Sequence, residues 1–478
     1  MRTLLLALAA LCAFAASAHC APASPLPQEP ASEAKAPSAK SSEPAKTSSQ
    51  PAEGSLWTRP GSDDWPRFLG PEGDGRLPDT AFAEPLDFAA RPPETLWSVP
   101  AGDGHASPAV VDGRLFLFDA EGQTQRLTAY RAESGEQLWR SSYEIRYRDY
   151  FGGDAGPKAT PTVTGDSVCT FDVGGTLRCH GVSDGELRWQ VDTTSKYGVR
   201  QNFFGAGSSP WAESLGSKTL LFVTVGGSPA GSDDILRGPV PANGTGLIAF
   251  DLATGEEDWR SGDELASYSS PVVRTVDGQR LGFAHLRDHL LVFQPADGKI
   301  LHRFPWRARN HQSVNAATPV VQGSDVFLTE AYGPGAVVVS LAQAEPAVRW
   351  QDPRRDKALA TRWITPILHQ GILYGAHGTS GSIQLRAVDF ATGKVQWSQR
   401  GLGRFSLLGF RDQLLITTED GQLLLLPADP KTYRPSAPIQ LQSAPSQDLI
   451  GPVWAPPALA RGILFVRGER ELVAIDLR

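Results

Sequence analysis

The stretch LIAFDLATGEEDW, Leu247–Trp259, decides the fold, because its parts recur along the chain in a fixed order. AVDFATGKVQW (Ala387–Trp397) repeats it, and CHGVSDGELRW (Cys179–Trp189) and LTAYRAESGEQLW (Leu127–Trp139) are looser copies. In each, a glycine stands four residues before the tryptophan: Gly135, Gly185, Gly255 and Gly393. Self-similarity of this kind marks one supersecondary unit stacked many times, and unrelated sandwich domains would not keep the offset.

The opening of the unit recurs too. Prolines at positions 108, 161, 210, 271, 319, 366 and 457 each follow Ser, Thr or Pro and precede a short apolar run, and only the unit near Ser406 lacks one. A proline at the start of a strand costs no ladder hydrogen bond. Spacings of about 47 to 61 residues fit a four-stranded propeller blade. FVTVGG, VFLTEA, LLITTED and LFVRGE are β-branched or aromatic runs bounded by turn residues, as strands require. Eight openings predict an all-β, eight-bladed β-propeller of four-stranded antiparallel blades. The chain ends on ELVAIDLR, a third strand with no fourth after it, while ETLWSVP (Glu94–Pro100) is a lone strand before the first unit. Pairing these N-terminal and C-terminal strands would close the ring and remove an exposed edge.

The 478 residues carry a net charge of -7 with 20% charged residues, which offers nucleic acid no basic stripe. Arg2, the apolar run Leu4–Ala16 and Ala16-Ser17-Ala18 read as a signal peptide over 1–18. No later stretch reaches about 18 uninterrupted apolar residues, so no transmembrane segment is expected. Residues 19–55 form a Pro/Ala/Ser-rich linker, 56–93 an N-terminal extension packing on the propeller, and 94–478 the propeller itself. Lipidation of Cys20 stays open: His19 directly before it is a poor fit, whereas the linker is the kind that spaces a lipoprotein off its membrane. The expected location is the periplasm, associated with the outer membrane or free, or the exterior.

The pattern A-x-D-x-x-T-G-x-x-x-W, matched without a gap from Ala249 through Asp251 to Trp259, resembles the repeat signature of the pyrroloquinoline-quinone-like (PQQ-like) propellers. The likeness covers about Asp64 to Arg478, and DDWPRFLGPEGDG (Asp63–Gly75) and GPKATPTV (Gly156–Val163) are similar to segments of exported members. The resemblance implies that Trp97, Trp139, Trp189, Trp259, Trp350 and Trp397 dock neighbouring blades. His302, in the tryptophan slot of the fourth unit, then reads as a hydrogen-bonded substitute.

The PQQ-dependent dehydrogenases that share this architecture hold the quinone against a tryptophan, fix calcium with carboxylate and amide oxygens, and use an aspartate as base. No Asp or Glu cluster here can be matched to those positions, and no Cys-Cys pair or C-x-x-C-H haem attachment occurs. No G-x-S-x-G, H-E-x-x-H, phosphate loop or zinc-type spacing is found either. No catalytic or metal residue is therefore assigned and no cofactor is expected, with PQQ and calcium kept as the alternative that the resemblance carries. His285 and His289 read as loop residues. Counting back from a turn at Val173–Gly175 places Cys169 opposite Cys179, which leaves either a hairpin disulfide or two buried free thiols.

If the first strand of each blade runs down, the inter-blade segments and the turns between strands two and three share the top face. The bottom turns (SGE, DGE, TGE, DGK, TGK) are short and plain. The top segments hold His105, Asn202, Tyr268, Asn310, His311, Arg362, Trp363 and Trp454, a candidate binding surface of aromatic and hydrogen-bonding side chains around one channel mouth. Three functions remain: an envelope scaffold for proteins, similar to the propeller subunit of the outer-membrane β-barrel assembly machinery; a PQQ-dependent oxidoreductase; and a carbohydrate- or small-ligand-binding propeller. A monomer is expected.

Overall fold

The computed structural model describes residues 63–478 apart from 79–81, 83, 201, 233, 236–237, 309, 311–313 and 380. The signal peptide, the linker, Cys20 and His311 lie outside the described residues. Eight four-stranded antiparallel sheets form the eight blades of a propeller. Blades 1 to 7 span 109–144, 162–192, 211–261, 272–305, 320–351, 367–400 and 405–440. Blade 8 is composite: its three strands within 458–476 are completed by Glu94–Pro100, which pairs antiparallel with Glu471–Asp476 in the register Glu94↔Asp476 to Pro100↔Glu471. The expected closure is thus observed. One five-residue helix, Thr193–Tyr197, is the exception to the β architecture, and no helix among the described residues is long and apolar enough to cross a membrane.

The repeat signature has a physical reason at each letter. In blades 3 and 6 the third strand is mostly buried and the fourth alternates, because the outer strand faces solvent on one side. Asp251 Oδ1 accepts from the backbone N–H of Ala253 and Thr254, and Asp389 Oδ1 accepts from Thr392 N–H, so the acid closes the turn before the glycine. In these blades the residue ten before the tryptophan lies directly opposite it: Ala129 faces Trp139, Ala249 faces Trp259 and Ala387 faces Trp397. A large indole needs a small partner there, and in blade 2 that partner is Cys179, facing Trp189.

Each tryptophan reaches the next blade. The indole N–H groups of Trp97, Trp139, Trp189, Trp259, Trp350 and Trp397 donate to the carbonyls of Ala132, Val182, Leu252, Pro295, Phe390 and Asp429 at 2.8–3.2 Å. Under the rings of Trp97, Trp139, Trp189, Trp259 and Trp350 lies the turn glycine of that next blade. A Cβ on Gly255, at φ +74, would stand 2.5 Å from Trp189, and one on Gly298 would stand 2.3 Å from Trp259. His302 faces Val292 in the tryptophan slot of blade 4, but its Nδ1 is buried without a hydrogen-bond partner, so it fills the slot without making the inter-blade bond. Blade 5, which should receive that bond, carries Pro346 where blades 1 to 4 and 6 carry glycine.

Two cysteines share the hairpin of blade 2. The register counted from the turn holds: Cys169 lies opposite Cys179, both are buried, and their Sγ atoms are 2.7 Å apart. His285 and His289 correct the loop reading. They end and begin the strands Gln279–His285 and His289–Phe293, and His285 is fully buried because the turn between them is only three residues long.

The segment 63–78 crosses the bottom of the ring. Trp65 exchanges backbone hydrogen bonds with Val110 of blade 1, Pro66 O accepts from Val163 N–H of blade 2, and Arg67 donates to Ala212 O of blade 3. On the far side Gly75 O and Leu77 N–H bond Gly409 of blade 7, and Arg461 of blade 8 bonds Asp64. Contacts to opposite blades within so few residues mean that the segment spans the ring from one side to the other.

Candidate functional site

The opposite, top face is built from the inter-blade segments and the turns between second and third strands. Two buried guanidinium groups hold its centre together. Arg467 of blade 8 donates to the carbonyls of Gly102, Asp103, Ala106 and Phe118 at 2.9–3.1 Å, tying the composite blade to blade 1. Arg287 of blade 4 donates to Asn202 Oδ1 at 2.6 Å, and Asn202 Nδ2 donates to Ala266 O. Burial lowers the pKa of both arginines to about 10, so both stay charged at neutral pH.

Around this centre runs a ladder of alternating aromatic rings and guanidinium groups. His105 lies 5.3 Å from Trp454, and the Arg404 guanidinium lies 5.3 Å from Trp454 and 5.8 Å from Trp363. Arg362 continues it, 4.6 Å from Trp363 and 5.6 Å from Tyr332. At these separations a cation is attracted to the π face, which keeps each long side chain extended over its neighbour. Glu419 braces the middle: it accepts from Arg404 Nη1 at 2.9 Å and from the Trp454 indole N–H at 3.2 Å. Burial alone would raise its pKa, but the Arg404 backbone N–H, the guanidinium and the indole together hold its carboxyl below the usual range. His105 is pushed the other way, to about 4, by burial and by Lys158, so its imidazole is neutral at physiological pH.

The ladder joins His105, Arg362, Trp363 and Trp454 from three different inter-blade segments. Arg404, Tyr332 and Glu419 were missed by sequence reasoning: Arg404 belongs to the unit without an opening proline, and Tyr332 and Glu419 belong to turns that carry no composition signal of their own. Asn202 is a bracing residue, almost wholly buried. Tyr268 belongs to another patch, where its hydroxyl accepts from Phe204 N–H at 2.9 Å. Asn310 is exposed between blades 4 and 5, its carbonyl accepting from Arg307.

The residues do not fit a quinone with calcium. A small cavity of about 20 Å³ between the top loops of blades 2 and 3 is lined by Phe171, Arg200, Asn202, Thr224 and Ser267 among others, and by no carboxylate. The centre of the face carries the guanidiniums of Arg287 and Arg467 where a cation would need negative oxygens. Among the described residues no group of three or more His, Cys, Asp and Glu could hold a metal ion. No redox step is derived for this site.

Comparison with known proteins follows the fold. A family model described as outer membrane protein assembly factor BamB matches residues 87–228 and 243–404. The outer membrane protein assembly factor BamB of Alkalilimnicola ehrlichii is 49% identical over 53 residues, a match spanning 10% of this chain and only 13% of that protein's length. Among solved structures, BamB from Moraxella catarrhalis is similar with a TM-score of 0.53 at 12% identity, covering 80% of this chain and 99% of that one. A europium-containing methanol dehydrogenase gives 0.63 at 10% identity, covering 87% of this chain and 98% of that one. Identities this low speak to the fold alone.

Proposed function

The chain belongs to the family of the outer membrane protein assembly factor BamB, and from that membership we propose that it is an exported, non-enzymatic scaffold of the cell envelope whose top face binds a protein. In this reading residues 1–18 are removed on export, the linker follows, and the mature protein works in the periplasm or against the outer membrane. The observation that carries the proposal is the ladder from Tyr332 to His105. Trp363, Trp454 and Tyr332 keep 36%, 38% and 42% of their surface exposed although stacking fixes their orientation. Flat aromatic faces already held in place lose little entropy on binding, which is what an interface anchor requires. The ladder brings two guanidinium groups and one carboxylate, so it favours a partner surface that is apolar with acidic side chains between.

The test is a double variant, Trp363→Ala with Trp454→Ala, in tagged protein recovered from cross-linked envelopes. Co-purification of outer-membrane assembly proteins should fall at least about tenfold, because truncating an anchoring tryptophan costs about 2 kcal/mol or more. Unchanged thermal melting would show that the fold survives. Undiminished recovery from the variant would remove the ladder from the interface. Tight binding of PQQ with calcium to the wild type, with dye-linked alcohol oxidation, would overturn the scaffold reading as a whole.

A further inference from the structure

A second aromatic surface lies on the same face, over blades 1 to 3. Tyr150 and Phe151, from the segment between blades 1 and 2, meet Phe203 and Phe204, from the segment between blades 2 and 3. Phe151 stacks on Phe203 at 5.5 Å, Tyr150 sits edge-on to Phe203 at 5.6 Å, and Phe204 leads to Tyr268 at 6.1 Å. Tyr150, Phe151 and Phe204 are 59%, 67% and 41% exposed. Single exposed apolar residues need no explanation, but a contiguous set of rings does, because leaving it in water forgoes the free energy of burying it.

The loops that hold the rings are fixed. Asp149 Oδ1 accepts from the N–H groups of Phe151 and Gly153, Tyr150 N–H donates to Phe203 O, and Ala206 N–H donates to Val173 O. Gly205 has φ +74, and a Cβ there would stand 2.4 Å from Val173 O, so the turn that presents Phe203 and Phe204 demands glycine.

Three arginines flank the rings along the chain, although the chain as a whole is acidic. Arg146 and Arg148 are exposed at alternate positions leading into Tyr150. Arg200 precedes Phe203 and has a buried Nε without a hydrogen-bond partner. The neighbouring acids are already engaged, Asp149 by the backbone and Asp154 by Lys158 at 2.9 Å.

We infer that this platform docks an extended protein segment in which carboxylate side chains alternate with aromatic or aliphatic ones. In an extended chain successive side chains point to opposite sides, so one edge can lay rings on Phe151, Phe203 and Phe204 while the next positions offer carboxylates to Arg146, Arg148 and Arg200. A lipid surface would also attract exposed rings and arginines. The protein segment is favoured because the rings stack on one another in loops pinned by hydrogen bonds, a preformed shape rather than an insertable apolar tip. The inference rests on the scaffold reading for its setting but uses none of the ladder residues.

Fluorescence anisotropy of the full mature chain with a labelled twelve-residue peptide of alternating Phe and Asp provides the test, with Lys in place of Asp as the control probe. Micromolar binding of the acidic peptide is expected, weakened by salt. Phe151→Ser with Phe204→Ser should abolish it, and Arg146→Glu with Arg148→Glu should weaken it about tenfold or more, since each attraction to a carboxylate becomes a repulsion. These side chains are exposed, so melting of both variants should match the wild type. Equal binding of the lysine peptide, no binding of either, or binding unchanged in the Phe variant would overturn the inference. So would concentration-dependent self-association lost in the Phe variant, or binding to phosphatidylglycerol vesicles, which would assign the rings to a second copy or to a lipid surface. Any of these results leaves the Trp363 and Trp454 experiment standing, so the two readings fail separately.

Discussion

At the scale of single residues, the repeat is a contract between two blades rather than a feature of one. The glycine four before each tryptophan lies beneath the tryptophan of the preceding blade, as Gly255 does beneath Trp189. Its φ of +74 is a left-handed conformation that costs an L side chain about 1 kcal/mol or more, and the added methyl would also overlap the indole at 2.5 Å. Gly255→Ala should therefore destabilise the protein by about 2–3 kcal/mol in denaturant unfolding. In a Trp189→Ala background the same substitution should cost only the backbone share, so a double-mutant cycle should return a coupling of about 1 kcal/mol or more. Purely additive costs would mean that the indole does not enforce the glycine. Blade 5 is the natural control, because the slot facing it holds His302 and its own turn holds Pro346.

At the scale of strands, the ring has one seam that the covalent chain does not close. Elsewhere consecutive blades are joined by inter-blade segments, but the last three strands of blade 8 are held by non-covalent contacts: the pairing with Glu94–Pro100, the packing of Trp97 at 5.9 Å from Phe465, and the hydrogen bonds of Arg467 to the segment that follows. Trp97→Ala should lower stability by about 2–3 kcal/mol, as expected for truncating a half-buried aromatic. Its particular mark should be local: amide exchange across Ile463–Asp476 should quicken more than in any other blade, whereas Trp259→Ala should act on the whole ring alike. Equal exchange profiles for the two variants would show that the seam is no weaker than the covalent joints. This closure was legible in the sequence because a lone strand and a three-stranded unit are visible imbalances in a period. The path of residues 63–78 was not. Its contacts with Ala212, Gly409 and Arg461 join residues far apart in sequence through individual hydrogen bonds, and no period announces them.

At the scale of the whole molecule, closing the ring is what creates the site. His105, Arg362, Trp363 and Trp454 could be nominated from strand order, which says only that their loops share a face. Their joining through Arg404 depends on the curvature of the ring, so the ladder, like the rings of Phe151 and Phe203, could not be read from spacing. Closure also buries histidines around the ring, and that gives a global response to acid. His105, His180, His285 and His377 all have pKa values lowered to about 4, in each case first by burial, with nearby cations adding to the shift at His105, His180 and His377. At His285 the Nε2 lies 3.1 Å from Trp306 O while Nδ1 is buried without a partner, so a second proton would have no acceptor. In the unfolded chain an imidazole titrates near 6.5. Between pH 6.5 and about 4 the unfolded state therefore binds protons that the folded state refuses, and stability is lost as pH falls through that window. Above about pH 7.5 these four groups are neutral in both states and contribute no slope. Urea midpoints should accordingly be flat from pH 8 to 7.5 and decline steadily toward pH 5. His285→Gln, which can still donate to the Trp306 carbonyl but cannot titrate, should remove part of that decline without moving the midpoint at pH 8 by a comparable amount. A variant that declines as steeply as the wild type would show that the buried imidazole at blade 4 does not set the acid limit of the ring.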